Sequence, residues 1–211
     1  MDTQVIVDRL QRFLLKLDTS VFEEMRDDTN ATIPALIIAA IAILLAGFGG
    51  WFWWLAQGYG DAGKIFWQSV LLGSIFAFVL WAVWIGVAYV LLVNVFHYTA
   101  DIQRMFRACS FATLPLILGL LMFIPGVNLG VGVAVFGLFF LLMDIGIQVS
   151  VDAQPGHVIV STFIGFIVFC LVLSVLVTKE NVLAPSVFAF RLPATDLSEV
   201  ANALSSFNRL R

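Results

Sequence analysis

Few residues in this chain have the type and spacing to do chemistry. The run Gly58-Tyr59-Gly60-Asp61-Ala62-Gly63-Lys64 matches both G-x-G-x-x-G and G-x-x-x-x-G-K. In phosphate-binding loops those spacings let backbone N–H groups cradle an anion, but a strand must precede the loop and a Ser or Thr must follow the lysine. Here Ile65 follows Lys64 and apolar segments flank the run, so a flexible inter-helix loop is the expected role. Asp144 is the one carboxylate inside a long apolar segment, with Gln148 one helical turn later on the same face. An acid placed in lipid is costly and often functional. The plain expectation is an ion pair with Arg104 or Arg107, or a side chain that reaches back to water. The sharper one is a proton or ion pathway. His97 and His157 come from separate loops, and with Asp101 they lack the local spacing of a metal site. No catalytic triad, metal or cofactor is expected, and Cys109 and Cys170 read as small buried apolar residues.

The elements that must position these groups follow from composition. Of 211 residues, 61% are hydrophobic and only 12% are charged. A soluble domain carries roughly a quarter charged residues, so lipid is the solvent in which this balance makes sense. Aromatics reach 14%, and tryptophan favours the membrane interface. A net charge of −3 and the lack of a basic stripe argue against nucleic acid as a partner. Charge-free stretches run from Ile65 to Ala100, Ala108 to Met143 and Ala153 to Thr178, and another precedes Asp61. The third of these four, from Ala108 to Met143, would be about 54 Å long as one helix, too long for one crossing of a core roughly 30 Å thick. The turn signal Pro125-Gly126-Val127-Asn128 divides it. The expected fold is all-α, a polytopic transmembrane bundle with spans near 33–55, 71–95, 109–124, 128–150 and 156–178. The third is short and contains Pro115, so a tilted or kinked span, or a re-entrant hairpin, is anticipated there.

Before the first span, Ile6, Leu10, Phe13, Leu14 and Leu17 recur at helical spacing, with Arg9, Arg12 and Lys16 on a different face. This predicts an amino-terminal interfacial amphipathic helix whose three bases meet lipid headgroups. Ser20-Val21-Phe22-Glu23 matches a capping box, and Thr32 before Ile33-Pro34 is a suitable cap for the first span. Arg9, Arg12, Lys16, Arg26, Arg104 and Arg107 outnumber Lys64, Lys179 and Arg191 on the opposite side. The positive-inside rule therefore puts the amino end in the cytoplasm and the carboxyl end outside the cell membrane. Gly126 and Gly130 lie four apart at the start of the fourth span, where small residues admit a second helix, within the bundle or from a partner. Phe188 and Phe190, in a tail broken by Pro185 and Pro193, would be awkward in water and suit a bilayer or a protein partner. Three regions result: 1–32 interfacial helices, 33–178 five spans, and 179–211 an extracytoplasmic tail.

The order of these features resembles the Yip family of five-span membrane proteins, particularly its prokaryotic members. Leu17-Asp18-Thr19-Ser20-Val21-Phe22-Glu23-Glu24-Met25 running into Thr29-Asn30-Ala31-Thr32 is similar to the family's preamble to the first span. Phe106-Arg107-Ala108-Cys109-Ser110-Phe111-Ala112-Thr113-Leu114-Pro115 resembles its basic segment leading through an aromatic-Ala-x-x-Pro sequence into the third. The likeness covers about residues 10 to 178. It departs where family members often carry Gly-Gly and this chain has His97-Tyr98-Thr99-Ala100, and it lacks the long amino domain of eukaryotic members. Both departures argue against a Rab-type GTPase as partner. The resemblance implies a five-helix fold and a non-enzymatic role: an accessory or scaffolding subunit that binds membrane lipid or other membrane proteins of a larger complex. The alternative is a small oligomeric channel or transporter using Asp144.

Overall fold

The computed structural model describes residues 3–56, 61–124 and 128–177. Two short helices, α1 (Thr3–Lys16) and α2 (Ser20–Asp27), precede α3 (Thr32–Ala56), the first span. The second span is one continuous rod. It starts as α4 (Ala62–Phe66), widens into a π-helical stretch (Trp67–Leu72), continues as α5 (Gly73–Val90) and ends in π geometry (Leu91–Val95). The third begins as α6 (Ile102–Cys109) and tightens into a 3₁₀ helix over Phe111–Phe123. The fourth and fifth are α7 (Asn128–Ser150) and α8 (Pro155–Val177). Among the described residues, five helices are therefore long and apolar enough to cross a membrane.

The third span resolves the difficulty that its sequence poses. Thirteen residues of α-helix reach only about 20 Å, whereas thirteen in 3₁₀ geometry reach about 26 Å. The 3₁₀ stretch alone thus comes near the length of a crossing, and α6 extends the same rod beyond it. Sequence features account for the tight winding. Pro115 has no N–H for an α-helical bond. The hydroxyls of Ser110 and Thr113 each donate to a carbonyl three residues back, at 2.7 Å, giving the backbone an alternative to i−4 pairing.

This rod is also the centre of the bundle. Of its apolar window 67% is buried, against 28% for the fifth span. It packs between α3 and α7, while α5 pairs with α8. Glycines permit the closest approaches. A methyl at Gly49 of α3 would run into the Gly119 carbonyl, one at Gly146 of α7 would press on Cys109, and one at Gly165 of α8 would strike the Trp84 ring. These positions, rather than Gly130, are where backbone nears its neighbour. Gly130 and Gly137 lie on the outside of α7 with nothing within 4 Å of an added Cβ. Trp81 and Trp84 are fully buried, and Trp84 meets Phe139, Phe166 and Phe169 at 5.2–5.5 Å between ring centroids. The outer surface carries Ile75, Val79, Val133, Leu141, Phe163 and Leu171 in exposed positions. An exterior of this kind is stable only against lipid.

Candidate functional site at the amino-terminal end of the bundle

The polar groups of the described residues gather mainly where α2, α6, the end of α7 and the start of α8 meet. Local sequence sets each element. Just ahead of α2, the Asp18 Oδ1 accepts the Ser20 N–H at 3.0 Å and the Ser20 hydroxyl at 2.6 Å. The anticipated capping box does not form, because Ser20 is the first helical residue and the cap position falls on Thr19, whose side chain makes no cap bond. Asp28 caps the 3₁₀ turn Thr29–Ala31 through the Asn30 N–H at 3.1 Å, and the chain passes directly into α3. Thr32 is thus the first residue of the span rather than its cap. Asp101 opens α6 by accepting from the Gln103 N–H at 2.8 Å.

Arg107 joins these elements. Its side chain is nearly inaccessible; Nε and Nη2 donate to the Arg26 carbonyl at 3.0 and 2.8 Å, and Nη1 donates to the Thr32 hydroxyl at 3.2 Å. Arg26 lies in the last turn of α2, so the cation sits at the negative end of that helix dipole. One guanidinium thereby fastens α6 to the end of α2 and the start of α3. Arg26 points elsewhere, donating to the Val149 carbonyl at the end of α7 at 2.8 Å and pairing with Asp27 at 2.6 Å, which holds the Asp27 carboxyl below its ordinary range. Arg26, Arg104, Gln148 and Asp152 line a cavity of about 340 Å³ beside the end of α7.

The amino-terminal bases turn inward. Arg9 lies between Glu24 and Asp28, 3.1 Å from each, and Arg12 reaches Glu24 at 2.6 Å and Asp18 at 3.0 Å. The hydrogen bond from Arg12 is the main cause of a lowered Glu24 pKa, and those from Ser20 lead the lowering of Asp18. Glu24 in turn raises that of Arg12. Phe13 stacks edge-on against Phe22 and Phe111, 5.7 and 5.8 Å between centroids, fixing α1 to the third span. Arg9 and Arg12 are thus paired within the chain, with Glu24 of α2 and with Asp18 and Asp28 on either side of it. Lys16 remains exposed.

Asp144 stands apart from this network. Arg107 is occupied as described, and Arg104 lies 3.8 Å from Asp101 with half its side chain exposed. The expected ion pair with either arginine thus does not form. The Thr162 hydroxyl of α8 faces the carboxyl of Asp144, yet Asp144 Oδ1 and Thr162 Oγ1 are both buried without a hydrogen-bond partner. Gln148 does not join Asp144; its amide donates to the Ala153 carbonyl at 3.0 Å and closes the turn before α8. His157 stacks on Phe96 at 4.2 Å and meets the Tyr98 hydroxyl at 2.9 Å, tying the start of α8 to the segment before α6. Among the described residues no three of His, Cys, Asp or Glu come together as metal ligands do. Asp61 accepts the Gly63 N–H at 2.8 Å, so a carboxylate occupies the helix start where a phosphate would have to sit. Gly58, Gly60, Gly126, Phe188 and Phe190 lie outside the described residues.

Five apolar helices around an aromatic core, gathered at one end by a buried arginine, define an integral membrane protein of the helical-bundle class. The Yip1 domain matches residues 15–178, and the chain belongs to that family. No curated protein and no solved structure matches it.

Proposed function

We propose that this Yip1-family protein is a non-enzymatic accessory or scaffolding subunit that binds other membrane proteins or lipid. The observation that carries the reading is the outer face of α7. Gly130 and Gly137 stand on it with open space over both, alongside Ala134, which is also exposed. Such a surface lets a second helix approach backbone to backbone. The arginine network supports the same reading, since Arg9, Arg12, Arg26 and Arg107 are engaged in holding the chain's own elements. Gly126 and the tail around Phe188 and Phe190 belong to the proposed partner-binding surface. The cell membrane, with the amino end cytoplasmic, is the proposed setting. The test is the native mass of protein extracted gently from its own membrane, with accompanying chains identified by mass spectrometry. A stoichiometric partner that is lost from Gly130→Leu/Gly137→Leu protein supports the proposal; a lone monomer that retains no lipid overturns it.

A second reading rests on the unpartnered Oδ1 of Asp144, a feature common along ion pathways. In that case the protein acts as an oligomeric channel or transporter, and Asp144→Asn abolishes flux in reconstituted vesicles while the fold persists. Flux that is absent from the parent protein, or unchanged by the substitution, removes this reading.

A further inference from the structure

The inward turn of Arg9 and Arg12 changes which side of α1 meets the membrane. At about 100° per residue, Ile6, Arg9, Leu10 and Phe13 share the face that packs on α2 and Phe111. Val7 and Leu14 lie on one flank of that face. Asp8, Arg12 and Lys16 lie on the other, with Val5 and, beside Asp8, Leu15 as its apolar members. Leu14 is 56% exposed, and Leu15 and Leu17 beside it are 81% and 76% exposed. Three neighbouring leucines at one helix end are thus left without a protein contact to cover them.

Depth decides what covers them. Phe111, against which Phe13 rests, lies inside the third apolar span, well past its first residue Ile102. Arg107 marks the level at which the first span begins, through its bond to Thr32, and Phe111 is one helical turn deeper. The carboxyl end of α1 is therefore held at the level where the bundle's outer surface has become apolar, and its leucines continue that surface. The turn itself points the same way. Leu17 has φ of 52°, a left-handed conformation that disfavours a branched side chain and suits glycine. A leucine there, almost fully exposed, is hard to reconcile with water on its far side.

We infer that α1 is an in-plane membrane helix that inserts Leu14 and Leu17 among lipid acyl chains beside the third span, with Leu15 at the boundary and its charged flank turned to water. The occupant is the hydrocarbon of the adjoining leaflet, and no particular headgroup is required. Single cysteines at positions 14, 15 and 16, placed in otherwise unchanged protein in nanodiscs, test this against a background in which Cys109 is buried and Cys170 lies in a span. A charged maleimide should react with Leu14→Cys at least about tenfold more slowly than with Lys16→Cys, the factor that withdrawing roughly one leucine side chain from water represents. A fluorophore at position 14 should be quenched by lipids brominated on the acyl chain. Equal reactivity at 14 and 16 overturns the inference. So does slow reaction at 14 without lipid quenching, which would mean that protein covers the leucines.

Discussion

Arg107 shows how one residue's role depends on a partner that linear reading does not suggest. Opposite charges invite pairing, and Asp144 is the natural acid to assign to it. The guanidinium instead spends its hydrogen bonds on the Arg26 carbonyl, 81 residues away in the chain, and on Thr32. Carbonyls at a helix end carry no mark in the sequence, so this partnership was illegible before the fold was known. Arg107→Ala should lower stability by roughly 2–3 kcal/mol, because it strips buried carbonyl and hydroxyl groups of a charged donor. Arg107→Lys should recover only part of that, since an ammonium cannot span the two sites as the fork does. The thermal midpoint in nanodiscs, followed by tryptophan fluorescence, measures both; an unchanged midpoint for Arg107→Ala would contradict the role given to it. The glycines teach a related lesson. Gly130 was visible as a small residue on a helix, but the closest backbone approach is at Gly49, whose partner Gly119 is unremarkable until the two rods are placed together.

Among the elements, the five spans were legible because the absence of charge over twenty or more residues has one physical meaning. Their internal geometry was not. The π-helical stretches of the second span and the 3₁₀ winding of the third answer to neighbours and hydroxyls rather than to hydropathy. The α1–α2 hairpin was legible as helix, and its ion pairs were hidden because either surface, lipid or protein, could have received the bases. Those pairs make docking of α1 dependent on pH. Glu24 and Asp18 have folded pKa values depressed below their ordinary 4.5 and 3.8. Their contribution is therefore complete above those ordinary values and is lost as pH falls through the depressed ones. A pair of labels at Gln11→Cys and Glu23→Cys should report a constant α1–α2 distance from pH 7 to about 5 and a longer one in stronger acid. A distance indifferent to acid would show that Phe13 alone secures the helix.

For the whole molecule, the order of features along about residues 10–178 pointed to the family from sequence, and the Yip1 match over residues 15–178 and the bundle agree with it. Function was less legible for a physical reason. A helix face that binds another protein in lipid is apolar and small, and so is a face that binds lipid itself. No residue type separates the two, which is why the native mass of the extracted protein discriminates better than any single substitution.

The winding of the third span also governs where charge can sit. Because the 3₁₀ stretch alone covers about 26 Å, nearly the whole hydrocarbon thickness, the residues of α6 are not needed to complete the crossing. Arg104 and Arg107 can stand in that helix without entering oil. The same thirteen residues in α geometry would fall about 6 Å short, drawing both arginines toward the lipid interior or pinching the bilayer around the molecule. The irregularity at Pro115 is thus what keeps a basic helix and an apolar crossing on a single rod.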